Sequence, residues 1–309
     1  MPRAYLCITI DCECDKGPGW RSQRPLRFEG IAEGVGRRLQ PLFRAYRAKP
    51  TYLLSPEVLG DPASVETLAS LRGNAELGTH LHGEYAEPGA VDVVVTRDFQ
   101  RDYPRELEAQ KLLHLTLLFR RAFGRAPRSF RAGRFGIGPH SIGILDALGY
   151  DVESSVTPHV DWSSAGARGL SFVGAPTQPY HPDPAVPGRR GVSRMLEVPV
   201  TIRPPRFGRL LARAIAPRWL RPSRTNARRL VGIARAEIAD ARRRRSDEGR
   251  PVVLNAMFHN VEVIAGASPY AATDEAARKI LGRVGALLAF AAREDIRVVG
   301  LGDLAGLFP

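Results

Sequence analysis

"AYLCITIDCECD", residues 4–15, is an apolar run that breaks off in carboxylates. A nearly unbroken apolar stretch of this length reads as a strand covered on both faces, the kind found in parallel sheets. Side chains two apart on a strand point the same way. Asp11 and Glu13 therefore share one face, and Cys12 and Cys14 take the other. A buried strand with acids at its carboxyl end raises the question of whether other strands end the same way.

They do. "TYLLS" (51–55), "AELGTHLH" (75–82), "RSFRAG" (128–133), "DVESSV" (151–156), "MLEVPVTI" (195–202), "PVVLNAMFH" (251–259) and "IRVVGL" (296–301) read as further strands. Helical spacing of apolar residues runs through 30–48, 61–73, 104–124, 138–150 and 274–294, with Asp61 and Pro62 as an N-cap and first-turn proline. This alternation predicts parallel strands joined by helical crossovers. About seven strands without a glycine-rich dinucleotide turn favour an α/β distorted (β/α) barrel over a doubly wound sheet. One domain, 1–309, is expected, with 203–250 as an arginine-rich helical excursion from it.

Asp11, Glu13, His80, His82, Arg131, Asp161 and His259 each fall at or just beyond the carboxyl end of a predicted strand. Those ends converge on the site of chemistry in parallel α/β folds. Two imidazoles and one carboxylate make a common shell for catalytic Zn²⁺, with a position left for water. A second carboxylate is then free to act as base, and His259 from another wall to protonate a leaving amine. Arg131 and Asp161 are expected to orient base and acid respectively. Tyr180, beside His181 in a proline-rich loop, is read as lining the cleft. Cys12 and Cys14 with His80 and His82 form a competing structural zinc set, but a regular strand turns the cysteines away from the carboxylates.

No stretch approaches the ~20 apolar residues of a membrane span. The opening "MPRAYLCITID" has no signal-peptide pattern, and three cysteines within eight residues make no disulfide framework. A cytoplasmic location is expected. The net charge of +13 is concentrated in 203–250, which holds fifteen arginines against Glu237, Asp240, Asp247 and Glu248. Such a segment reads either as a solvated helical face or as a patch for phosphate, acidic glycan or an anionic membrane surface, the last of which would place the protein peripherally at the inner membrane face. With no reading module or aromatic platform among the arginines, nucleic acid is not expected.

Five ordered segments, "TIDCE" (9–13), "THLH" (79–82), "FRAGRFG" (130–136), "PHVDW" (158–162) and "VLNAMFHN" (253–260), resemble the motifs of the polysaccharide deacetylase (NodB-homology, carbohydrate esterase 4-like) superfamily. The resemblance implies a metal-dependent N-deacetylase on a NodB-like barrel. It further implies Asp11 as base, Glu13, His80 and His82 as metal ligands, Arg131 steadying the base, and Asp161 tuning the acid His259. Arg134 and Trp162 become expected substrate contacts. Glu84 stands four beyond His80, where most relatives place the second histidine; His82 is the expected ligand and Glu84 the alternative. "FHNVEVIAGASPY" (258–270) resembles a subgroup associated with surface-polysaccharide and lipopolysaccharide biosynthesis, implying an amino-sugar glycan or a lipid-linked or nucleotide-linked precursor as substrate. Two competing readings are another amide hydrolase, of the cyclic ureide type, and a catalytically silent glycan-binding or assembly protein.

Overall fold

The computed structural model describes residues 4–90, 99–163, 166–167, 169–205, 216–244 and 250–308. Its strands are β1 (Ala4–Cys12), β2 (Thr51–Leu54), β3 (Glu76–Leu81), β4 (Ser129–Ala132), β5 (Val152–Glu153), β6 (Leu196–Glu197), β7 (Ile202–Arg203), β8 (Arg218–Trp219), β9 (Val252–His259) and β10 (Arg297–Val298). Its α-helices are α1 (Gln40–Ala45), α2 (Pro56–Leu59), α3 (Pro62–Ala69), α4 (Arg105–Phe123), α5 (Ser141–Ala147), α6 (Ala227–Arg244) and α7 (Asp274–Arg293). The expected N-cap of α3 is made: Asp61 Oδ2 accepts from Ser64 N at 2.9 Å, with Pro62 opening the helix.

One parallel sheet runs β9-β1-β2-β3-β4-β5-β6, with β10 beside the start of β1. It curls into a half-barrel with helices outside, an α/β fold of the expected kind. β7 and β8 form a small antiparallel ribbon of their own. The longest ladder joins β1 to β9 and pairs Ala4 through Asp11 with Val252 through His259. Between β6 and β9 there is no ladder among the described residues. Thr201 N donates to Asn255 O (2.9 Å), Asn255 Nδ2 to Val198 O (3.0 Å), and the Gln178 side chain meets both Val253 N (2.9 Å) and Val253 O (3.1 Å).

The strand period sorts β1 into two faces. Leu6, Ile8, Ile10 and Cys12 pack with the helices in the main core. Tyr5 and Cys7 face the barrel interior with Leu53, Val152 and Val253. Next along that inner face come Thr9 and Asp11, so the apolar floor gives way to polar residues towards the mouth. The arginine-rich stretch is more integrated than a surface excursion. α6 buries Leu230, Ile233, Ala234, Ile238 and Ala241 in the main core and is the crossover helix that leads into β9. No helix among the described residues is long and apolar enough to cross a membrane.

Candidate metal centre and active site

Three imidazole nitrogens converge on one carboxylate oxygen. Glu13 Oε1 lies 3.1 Å from His82 Nε2, 3.4 Å from His80 Nε2 and 3.5 Å from His259 Nε2. His80 lies on β3 and His82 one residue past its end, and their two-residue spacing puts both rings on one face. Their outer nitrogens are engaged as well. His80 Nδ1 donates to the Arg131 carbonyl at 3.0 Å, since a carbonyl only accepts, and this bond fixes the ring with Nε2 facing inward. His82 Nδ1 faces Glu84 Oε1 at 3.3 Å, and Arg134 Nη2 holds that same oxygen at 2.6 Å. Glu84 thus stands behind His82 rather than replacing it, and Arg134, expected to meet substrate, is engaged with Glu84.

Local backbone makes this close approach achievable. A Cβ on Gly133 would stand 2.5 Å from the Leu81 carbonyl oxygen and 3.3 Å from the His82 ring, so glycine lets the ends of β3 and β4 meet. The next two residues, Arg134 and Phe135, both have positive φ (54° and 55°), a conformation costing roughly 1–2 kcal/mol for a residue with a Cβ. The Arg134–Glu84 pair and the packing of Phe135 against Trp162 and Trp219 hold the turn in place.

The donor set suits a divalent metal. Ligand atoms of Glu13, His80 and His82 all lie within 4.8 Å of one another and all three residues are buried. A Zn²⁺ ion about 2 Å from each donor needs that convergence. Burial pushes His82 towards its neutral form, yet Glu13 and Glu84 outweigh it and raise its pKa to about 9. Burial likewise pushes the Glu13 carboxyl up, but His82 and Lys16 pull it well below the usual range. The pocket therefore favours positive charge, whether a proton or a metal ion. Lys16 Nζ lies 3.0 Å from Glu13 Oε2, so Oε1 is the oxygen facing the histidines. Asn260 brackets the Glu13 backbone, accepting from its N–H and donating to its carbonyl, both at 3.0 Å. Lys16 follows Glu13 by three residues, a spacing beyond the strand that carries no face signal in the sequence.

Asp11 sits beside this group on β1. Arg131, fully buried, donates from Nη1 to Asp11 Oδ1 at 2.7 Å. Its other N–H groups reach Ser154 O (2.7 Å), Ser154 Oγ (2.9 Å) and Thr9 Oγ1 (2.9 Å). Burial raises the Asp11 carboxyl, and Arg131, His80 and His259 together outweigh it, leaving the pKa lowered. Asp11 is therefore an anion held in one orientation.

His259 lies across the β1–β9 ladder from Asp11. The carboxylate beside it is not the expected one. Asp161 is exposed on the long connection from β5 to β6, where it accepts from Ser163 N and Oγ. Eight residues beyond the end of β5, it is not a strand-end residue. Glu262 stands there instead: its Oε1 lies 2.9 Å from His259 Nδ1 and also accepts from Arg221 Nη2. The signal was present in "FHNVE", because a short 3₁₀ turn brings the third residue after a histidine back to it. Arg221 belongs to the basic segment and was unrecognisable as a site residue without the fold.

Two other expectations change. Tyr180 is buried, and its hydroxyl donates to the Pro187 carbonyl at 2.5 Å, so it does not line the cleft. The cysteines do not join the histidines: Cys12 is in the helix-side core, while Cys14 contacts Lys16 Nζ and the Tyr85 hydroxyl. Trp162 does belong to an aromatic wall, stacked on Phe135 at 5.6 Å and 6.3 Å from Trp219.

No family model matches the sequence, and no curated protein matches it. Solved structures share its fold. One from Parabacteroides distasonis, described as a glycoside hydrolase/deacetylase, aligns with a TM-score of 0.66 at 13% identity over 99% of this chain and 71% of the other. One from Mycobacterium smegmatis, described as a polysaccharide deacetylase, gives 0.53 at 16% over 99% and 93%. The Puue allantoinase gives 0.53 at 13% over 99% and 90%. The fold is that of the polysaccharide deacetylases.

Proposed function

We propose that the protein is a metal-dependent hydrolase that removes an N-acetyl group from an amino sugar in a glycan or glycan precursor. The observation that carries this reading is the convergence of His80, His82 and His259 on Glu13 Oε1, with the Arg131-held Asp11 beside them. Glu13, His80 and His82 would hold the ion, most suitably Zn²⁺, which would supply the Lewis acidity that lowers the pKa of water and polarises the amide carbonyl. Asp11 accepts the proton of the attacking water as the C–O bond forms. Arg131 keeps that carboxylate anionic and aimed. His259 gives a proton from Nε2 to the departing amine nitrogen as the C–N bond breaks, so acetate and a free amine leave. Glu262 fixes Nδ1 of His259 and, with Arg221, its orientation.

Acetate release from N-acetylated oligosaccharides by metal-replete protein tests the proposal. Asp11→Asn and His259→Ala are expected to keep the metal and lose on the order of 10²–10⁴-fold in rate. Normal turnover in either variant removes that residue from the reaction. The fold shared with an allantoinase favours a second reading, hydrolysis of another amide. Ring opening of a cyclic ureide without acetate release from any glycan would select it.

A further inference from the structure

The basic segment divides into two classes of arginine. Arg203 pairs with Glu237 and Asp240, Arg235 with Glu294, and Arg243 with Asp240. By contrast Arg224, Arg228 and Arg229 are exposed, and none forms an ion pair among the described residues. These three line a cleft with Arg218, Trp219 and Tyr270. Three guanidinium groups without a carboxylate partner among the described residues line one concavity, and their forked geometry suits phosphate oxygens.

The cleft adjoins the proposed proton donor. The Trp20 ring meets the His259 ring edge-on at 4.8 Å and the Tyr270 ring at 5.7 Å. Tyr270 also lies under the Arg221 guanidinium, at 4.8 Å from its ring centre, and Arg221 holds Glu262. On the other side Trp219 carries Arg224 at 5.6 Å and abuts Phe135 and Trp162 of the aromatic wall. A sugar lying against those rings with its acyl group at Glu13 would extend one end towards the three arginines.

We infer that this cleft binds the phosphate or diphosphate through which the glycan substrate is attached to its carrier. The inference rests on the deacylase reading of the neighbouring site and adds the substrate's charged end. A single carboxylate on the sugar would leave most of the cationic groups unmatched. The far end of α6, with Arg242 and Arg243, lies about 25 Å away by helix rise and is a separate feature.

Calorimetric titration of the full chain with inorganic pyrophosphate tests it. Saturable binding is expected, weakened on the order of a hundredfold in Arg224→Gln/Arg228→Gln/Arg229→Gln, whose exposed positions leave the fold intact. His259→Ala should bind pyrophosphate as the unaltered protein does. Equal affinity in the triple variant, or no binding to the unaltered protein, overturns the inference. Two arms name the carrier: tighter binding of a uridine-diphosphate N-acetylhexosamine points to a nucleotide, and tighter binding of a polyprenyl diphosphate in detergent micelles to a lipid. Tighter binding of a single-stranded oligonucleotide to the same arginines overturns the glycan assignment. Acetate release without pyrophosphate binding sinks the cleft alone. Arginine-dependent pyrophosphate binding without deacylation of any acetylated hexosamine sinks the deacylase reading alone.

Discussion

His259 Nδ1 stands 2.9 Å from Glu262 Oε1, and Arg221 closes on that oxygen from the other side. A histidine, the carboxylate three residues later and an arginine from the preceding crossover segment thus form one buried unit. Its members depend on each other: the carboxylate is tolerated because the guanidinium neutralises it, and the ring is oriented because the carboxylate is fixed.

Glu262→Gln keeps the shape of that unit and removes its charge. A loss of about 10–100-fold in turnover is expected, with metal content unchanged. The loss should fall on kcat and leave KM in place, because Glu262 orients the ring beside it. Unchanged kcat would show that Glu262 only supports the turn. Asp161→Ala serves as the contrast and should leave kcat where it is.

The same unit makes stability depend on pH. Burial raises the Glu262 carboxyl, but Arg221 and His259 more than reverse this and take it from 4.5 to about 2. A depressed folded-state pKa stabilises the native state above the ordinary value, and the contribution fades as pH falls through the folded one. The stabilisation, at most about 3 kcal/mol, should therefore be lost progressively between about pH 5 and pH 2. Urea midpoints measured across that range should fall less in Glu262→Gln than in the unaltered protein.

Metal retention should separate the polar residues at the mouth. His80→Ala, His82→Ala and Glu13→Gln are expected to lose bound metal after dialysis, whereas Asp11→Asn retains it. Glu84→Gln, which weakens the carboxylate shared by the far nitrogen of His82 and by Arg134, should weaken binding about 10–100-fold. Elemental analysis and metal-dependent shifts in melting temperature provide the readouts. Full retention by His82→Ala would transfer its place to another donor.

Arg131→Met should be the most destabilising single change at the site. It leaves Asp11 buried without its partner and strips donors from Thr9 and Ser154. Breaking a buried pair by removing one member costs about 3–5 kcal/mol. The double variant Arg131→Met/Asp11→Asn should recover part of that loss in chemical denaturation, as expected when the cost is an orphaned charge.

The inner face of β1 was readable because its period-2 pattern does three things at once. It hides Leu6, Ile8 and Ile10 under helices, floors the barrel with Tyr5 and Cys7, and presents Asp11 towards the mouth. His80 and His82 were readable for the same reason. Strand-end reasoning does not reach Asp161, because β5 stops after two residues and the chain continues through a long connection. A proline-rich stretch has the composition of a surface loop, yet the one around Tyr180 folds back and buries the ring. Glu262 required local turn geometry, and Arg221 required knowing which crossover precedes β9. Neither follows from hydrophobic periodicity.

The uneven closure of the barrel separates two mechanical jobs. The proposed proton transfers would rely on the spacing of Asp11 and His259, set by eight residue pairs of continuous ladder. The opposite side, where β6 meets β9 through an asparagine and a glutamine, is stitched rather than woven. A change on that side leaves the β1–β9 ladder, and with it the spacing of the proposed reacting pair, untouched. Grafting a new connection between β5 and β6 should thus alter which substrate the proposed enzyme accepts and leave Asp11 and His259 in register.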